Sequence, residues 1–313
     1  MTTIYATPEQ RFSVWKNYPF GANHHFWEGL RMHYVDAGDR AAAPTLLVHG
    51  MPTSSYLYRH MIPPLVAAGQ RCIASDHIGF GRSDKVLDDD WYSIERHCQA
   101  LRSLIEALDL RDITLVCQDW GGPIGLRQVA DMPDRFARLV IMNTWLHHPG
   151  YVYSEALRKW NRSWHPGGLM DKLQGCGFVM QHYVERHPGQ TNGLSPEEAF
   201  AAYEAPFPDR TSKAGPRRFP LSLPFDDPER GNAEDQARCF RALDAWDRPV
   251  HFIWGVHDDA FTESWGRAWA ERFPQATFDG VDAGHFLQES HGAEVAALIS
   301  SRLSAGSGPA EQA

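Results

Sequence analysis

Cys117-Gln118-Asp119-Trp120-Gly121-Gly122 is the stretch of this sequence best equipped for chemistry. It closes an apolar run, Ile113–Cys117, that reads as a strand, and it opens a stretch to about Ala130 that reads as a helix. A strand passing into a helix through x-Asp-x-Gly-Gly makes a sharp elbow. The small residues let the chain turn tightly, so the central side chain projects above the sheet. The same turn aims the following N–H and the helix dipole at any anion that develops there. Ser is the usual occupant, and Asp changes the chemistry. A carboxylate is already ionised at neutral pH and attacks without help from a base. Displacement at an sp3 carbon then leaves an ester, whose carbonyl carbon water can attack to regenerate the acid. A Ser would leave an ether, which water does not cleave readily. Asp119 therefore points to cleavage of an alkyl–heteroatom bond and away from ester or peptide hydrolysis. Capping of the next helix is the bland alternative for an Asp, but it leaves the remaining residues unexplained.

Enzymes built on this elbow carry nucleophile, acid and His in that chain order. Asp282-Ala283-Gly284-His285-Phe286 follows an expected strand, which makes His285 the candidate base among sixteen histidines. Trp254-Gly255-Val256-His257-Asp258-Asp259 follows the strand before it and supplies an acid, Asp258 or Asp259. That carboxylate would bind one ring nitrogen, fix the tautomer and stabilise the imidazolium.

Periodicity outlines the elements that must hold these groups. His24–Trp27 and Leu30–Asp36 flank a Glu28-Gly29 turn and predict a hairpin. Thr45–His49, Arg71–Ser75 and Leu139–Met142 read as further strands, and Ser93 is placed to cap a helix whose Ile94, Leu101, Leu104, Ile105 and Leu108 share one face. Strand–helix alternation predicts a mostly parallel sheet covered on both faces. From about Trp145 to Phe225 no strand is expected, and helical pieces fall at Glu155–Trp164, Leu169–Glu185 and Pro196–Tyr203. The rhythm resumes with Val250–Trp254, a helix near Glu263–Phe273, Thr277–Val281 and a last helix near Glu294–Leu303. The predicted organisation is one α/β core from residues 1–145 and 226–304, a helical cap inserted at 146–225, and a disordered tail at 305–313.

The 313 residues suffice for a large domain with an inserted module, and 43% apolar residues supply its core. A net charge of −9 without basic clusters argues against nucleic acid and anionic membrane as partners. No stretch approaches the roughly 18 apolar residues of a membrane span. The opening MTTIYATPEQRF lacks the basic-then-apolar pattern of a signal peptide, and five scattered Cys fit reduced thiols, so a cytoplasmic location is expected.

Across roughly residues 8–303 the chain resembles the haloalkane dehalogenases. The resemblance rests on His49-Gly50-Met51-Pro52-Thr53-Ser54-Ser55-Tyr56-Leu57-Tyr58-Arg59, Ile78-Gly79-Phe80-Gly81-Arg82-Ser83-Asp84-Lys85, the Asp119 elbow and Asp282-Ala283-Gly284-His285-Phe286. Ala205-Pro206-Phe207-Pro208-Asp209 and Lys213-Ala214-Gly215-Pro216-Arg217-Arg218-Phe219-Pro220 add to it within the cap. It implies an α/β-hydrolase fold, a halogenated hydrocarbon, water and halide as partners, and no cofactor or metal. The cap strings resemble the branch whose catalytic acid follows the penultimate core strands, which implies Asp258. In another branch a Glu sits just after the strand ending near Asn143, and this chain has Asn143 there.

Two donors hold the leaving halide in such enzymes. One is the Trp after the nucleophile, here Trp120, whose indole N–H has no acceptor to repel an anion. The other is an Asn after the His-Gly pair or a Trp of the cap. Met51 follows His49-Gly50, so the resemblance implies a cap Trp, 17 residues past Asn143 at Trp160, with Trp164 one turn on as the fallback. Met51 stands where Asn or Glu is frequent, which bears on substrate preference. Its N–H and that of Trp120 are expected to form an oxyanion hole. The cap is also longer than usual around Glu185–Leu194.

Epoxide hydrolases share the elbow and the His–acid pair but need cap tyrosines to protonate the epoxide oxygen. Tyr151, Tyr153, Tyr183 and Tyr203 are available, whereas Gln118 occupies a position where those enzymes more often carry His. Fluoroacetate-type enzymes resemble Asp-Arg at the elbow, which is absent here. A non-catalytic small-molecule sensor is the reading from another class.

Overall fold

The computed structural model describes residues 3–187 and 192–305. In chain order its elements are β1 (Ile4–Tyr5), β2 (Asn23–Trp27), β3 (Leu30–Ala37), β4 (Pro44–Val48), α1 (Ile62–Ala67), β5 (Arg71–Ser75), β6 (Lys85–Val86), α2 (Ile94–Ala107), β7 (Ile113–Asp119), α3 (Gly121–Asp131) and β8 (Phe136–Thr144). Five helices follow: α4 (Glu155–Trp164), α5 (Leu169–Leu173), α6 (Cys176–Arg186), α7 (Pro196–Glu204) and α8 (Ala214–Leu221). The chain then runs through α9 (Ala233–Ala242), β9 (Val250–Gly255), α10 (Glu263–Ala270), β10 (Thr277–Val281) and α11 (Leu287–Ala305).

The main sheet has the order β10-β9-β8-β7-β4-β5-β3-β2. Pairing is parallel from β10 through β5 and antiparallel for β3 and β2. Side chains alternate across it as the strand period requires. Leu46, Val48, Leu115, Cys117, Leu139, Ile141, Phe252 and Trp254 pack on one face with Ile94, Leu101 and Ile105 of α2. Leu47, Val116, Val140, Met142 and Ile253 pack on the other with α1 and with Val295 and Ile299 of α11. A sheet buried on both faces explains why its strands read as continuous apolar runs.

β7 lies beside β4, although β5, β6 and α2 separate them in the chain. The sheet thus reverses its direction of growth at β4, and in such sheets ligands bind at the carboxyl ends of the strands at this point.

Ser154 caps α4 by accepting from the Leu157 N–H, and Ser195 with Glu198 forms a full capping box on α7. The single helix expected over Leu169–Glu185 is two helices. Gln174 turns left-handed (φ 50°) with its amide bonded to the Asp171 carbonyl, and Gly175 follows, where a Cβ would lie 2.3 Å from the Phe178 ring. The last helix starts earlier than expected, at Leu287, because it continues through a kink at His291 (φ −129°). α9 escapes the sequence reading because AEDQARCFRA is short and half polar, and only one side of it is buried. Position 188–191 of the expected long cap loop and the tail at 306–313 lie outside the described residues.

The α4–α8 segment is tied to the sheet by a buried polar joint. Glu289 of α11 takes both terminal guanidinium nitrogens of Arg59 and the Tyr203 hydroxyl, the latter at 2.6 Å. Among the described residues no helix is long and apolar enough to cross a membrane.

Candidate active site

Parallel strands present their carboxyl ends at one edge, and the loops after β4, β7, β8, β9 and β10 meet there. Asp119 ends β7 with φ 53°. That region costs a non-glycine residue on the order of 1–3 kcal/mol and persists only where the surroundings enforce it. Here the Thr144 hydroxyl donates to the Asp119 carbonyl at 2.5 Å. A Cβ on Gly121 would stand 2.1 Å from the Val48 carbonyl oxygen, and one on Gly50 would stand 2.1 Å from Asp119 Oδ1. The glycines are what let the elbow sit against β4. The Met51 N–H donates to Asp119 Oδ1 at 2.7 Å.

His285 faces Asp119 from the loop after β10. Its Nε2 lies 3.6 Å from Asp119 Oδ2, and its Nδ1 donates to Asp258 Oδ2 at 2.7 Å. Asp258 is 5% exposed, and its Oδ1 accepts the N–H groups of Ala260 (2.8 Å) and Phe261 (3.2 Å). The neighbouring Asp259 is exposed. Burial alone would push His285 down, but the Asp258 and Asp119 carboxylates outweigh it and raise its pKa to about 10.

Two residues escaped the sequence analysis as parts of this site. Asn143 donates to Asp258 Oδ2 (2.9 Å) and to the Gly255 carbonyl (3.1 Å), and accepts the Gly255 N–H (2.7 Å). It anchors the acid, and its signal was a polar residue closing the apolar run Val140-Ile141-Met142. Gln118 donates to the His285 carbonyl at 3.1 Å, and its amide nitrogen lies 2.9 Å from His285 Nε2. A polar side chain in a buried strand was the signal there.

The site opens into a cavity of about 700 Å³ lined by Met51, Asp119, Trp160, Asp258 and His285 among others. Leu157, Val179, Phe261 and Phe286 add apolar wall, and Arg186, His187, His257, Asp259 and Glu263 add polar wall. Trp120 is not part of that lining. It is buried, edge-on to Trp145 (4.7 Å) and stacked on Phe219 (5.2 Å). Trp164 touches the Trp160 ring edge-on at 5.5 Å but is buried away from the cavity, and its indole N–H has no partner.

Rings continue beyond Trp120. Phe219 stacks on His97 (4.7 Å), which meets His77 (5.4 Å). His49 donates from Nδ1 to the Gly50 carbonyl (2.7 Å) and accepts the His77 N–H at Nε2 (3.0 Å). Burial lowers the pKa of His49 and His77, and pushes His97 down to about 3. These histidines are neutral parts of the floor.

Comparison with known proteins gives the family. Residues 44–171 match the family model of the alpha/beta hydrolase fold. The haloalkane dehalogenase of Psychrobacter cryohalolentis is 39% identical, covering 95% of this chain and 96% of that protein. The haloalkane dehalogenase of Mycolicibacterium paratuberculosis is 36% identical, covering 95% and 97%. The solved structure of a haloalkane dehalogenase from Paraglaciecola agarilytica superposes with a TM-score of 0.83 at 35% identity, covering 95% of this chain and 97% of that one. With an Asp at the elbow, a His–Asp pair facing it and haloalkane dehalogenases at 36–39% identity matched over nearly their whole length, the chain belongs to the haloalkane dehalogenases, hydrolases that act on carbon–halide bonds within the α/β-hydrolase fold.

Proposed function

We propose that Asp119 attacks the halogen-bearing carbon of a haloalkane in line. The carbon–halogen bond breaks, its electron pair leaves with the halide, and an aspartyl-alkyl ester forms. Halide departs toward the indole N–H groups of Trp120 and Trp160, donors that act where charge develops. His285, oriented by Asp258, takes a proton from water, and the hydroxide adds to the ester carbonyl carbon. The N–H groups of Met51 and Trp120 hold the oxyanion. The ester C–O bond then breaks, the leaving alkoxide takes the proton from His285 and departs as alcohol, and loss of the remaining proton restores the Asp119 carboxylate. Residues 146–225 act as a cap over the core formed by 1–145 and 226–304.

One observation carries this reading. A carboxylate on an enforced turn accepts a main-chain N–H at 2.7 Å and faces, at 3.6 Å, an imidazole already anchored on a second carboxylate. The electrostatics fit the order of steps. Asp119 helps to keep His285 protonated while it is ionised. The ester removes that charge, so the imidazole gives up its proton more readily at the step that needs a base.

Tyr183 lines the same cavity, which favours a second reading, epoxide hydrolysis. Its hydroxyl is engaged with Ser290 (3.1 Å), while those of Tyr153 and Tyr203 bond His147 (2.9 Å) and Glu289 (2.6 Å). Incubation with brominated and chlorinated alkanes and with styrene oxide separates the two. Halide release without diol, lost in Asp119→Ala, is expected. Diol without halide would move the function to epoxides.

A further inference from the structure

Gln118 is fully buried beneath the base, and the orientation of its amide is fixed by a group that can only accept. Its Nε2 lies 3.1 Å from the His285 carbonyl oxygen. Were the amide turned over, two carbonyl oxygens would face each other at that distance. The NH2 group therefore points at His285, and its second hydrogen meets His285 Nε2 at 2.9 Å. A donor at Nε2 requires a lone pair there. In the neutral ring the one proton then sits on Nδ1, where Asp258 accepts it at 2.7 Å. This is the form in which His285 can act as a base. The arrangement leaves Gln118 Oε1 buried without a partner, an expense that packing alone would not require.

We infer that Gln118 is a positioning residue that holds His285 as a neutral, Nδ1-protonated base for ester hydrolysis. The inference rests on His285 as the base. Two groups pull His285 Nε2 in opposite directions. Asp119 Oδ2, 3.6 Å away, favours the imidazolium, and the Gln118 amide favours the lone pair. The ester silences the first and leaves the second, so the donor governs the ring only after halide has left. The other groups around the ring do not compete at Nε2. Asp258 takes Nδ1, and the Phe261 and Phe286 rings pack at 5.5 and 4.6 Å. On the same loop, His257 pairs with Asp282 at the exposed surface. From α6 and the residue after it, Tyr183 and His187 pack against Gly284, where a Cβ would lie 3.0 Å from His187 Nε2. Arg186 also lines the cavity.

The test is rapid-quench kinetics with 1-bromobutane across pH, resolving the halide burst from ester hydrolysis, on the unchanged enzyme, Gln118→Leu and Gln118→His. Losing a hydrogen bond to the neutral ring raises the pKa of the base by about one unit. In Gln118→Leu the acid limb of ester hydrolysis moves up in pH by that amount, and the halide burst keeps its rate. Gln118→His retains a ring N–H donor and restores the limb. An unmoved limb in Gln118→Leu, or slowing of both steps alike, would overturn the inference, as would a limb moved to lower pH. His285→Gln serves as the control. If it fails to accumulate the alkyl-ester by intact mass, the assignment of the base is at fault and not the role of Gln118.

Discussion

On the core wall of the cavity, Asp119 is fixed by a left-handed turn, a main-chain donor at 2.7 Å and a glycine with no room for a Cβ. On the cap wall, Trp160 lies half-buried on one face of α4, with its ring against Trp164. Behind Asp119 stand Thr144, Asn143 and Gln118, each bonded to a group of the site. The same cavity also has a polar lining, Arg186 of α6 together with Asp259 and Glu263 from the segment after β9. On the proposed mechanism the core wall sets where the reacting carbon sits, in line with Asp119. The cap wall defines what else can sit beside it. If the proposed mechanism holds, reaction type follows from the sheet edge, and substrate choice from the side chains that α4–α8 and the loop after β9 add to the cavity.

The comparison breaks most directly at the nucleophile. Asp119→Ala should lower halide release about 10⁴-fold or more, and residual turnover near the wild-type rate would show that the elbow is not where chemistry happens. Next comes the anchor of the base. Asp258→Asn should slow ester hydrolysis by about 10³–10⁴-fold while leaving the halide burst visible, and a rapid-quench trace with both steps equally slow would contradict it. Trp120→Phe, behind the lining, and Trp160→Phe, within it, should each slow halide departure by about 10²-fold, with Trp164→Phe close to unchanged. A larger loss for Trp164 than for Trp160 would exchange their roles and mean that α4 moves when substrate binds.

The floor of the core wall makes a prediction about acid. His97 titrates at about 3 in the folded protein and at about 6.5 unfolded, so the unfolded chain binds the extra proton between these values. Stability is lost as pH falls below about 6.5, at pH 5 by about 2 kcal/mol for this residue. The sign for His285 is opposite. Raised to about 10, it contributes stability that is complete below about 6.5 and lost as pH rises through 10. Urea unfolding of His97→Phe at pH 7 and pH 5 should show a smaller loss than the unchanged protein, and an identical loss would clear His97 of the effect. The smallest effect belongs to the polar cap wall. Arg186→Ala should change KM for long haloalkanes with a polar end by about 10-fold at most and leave short apolar ones untouched, since an exposed charge is weakly coupled in water.

The sequence by itself carried the elbow, because its logic is local. Asp119, Trp120, Gly121 and Gly122 are adjacent, and the need for small residues at a tight turn follows from sterics over a few bonds. It carried the strands of the sheet interior too, since burial on both faces writes nearly continuous apolar runs such as Ile113–Cys117 and Val250–Trp254. The break between α5 and α6 was not legible, because Gln174 is no turn residue and enters the left-handed region only with its amide bonded to Asp171. Sheet order was not legible either. Nothing near Leu46 or Leu115 says that β4 and β7 are neighbours, yet that adjacency brings the Met51 N–H to Asp119. The same holds for Asn143 on Asp258 and Gln118 on His285, pairs 115 and 167 residues apart. Periodicity and turn sterics act over a few residues, whereas a hydrogen bond between strand ends depends on which strands lie side by side, and only the packed sheet decides that.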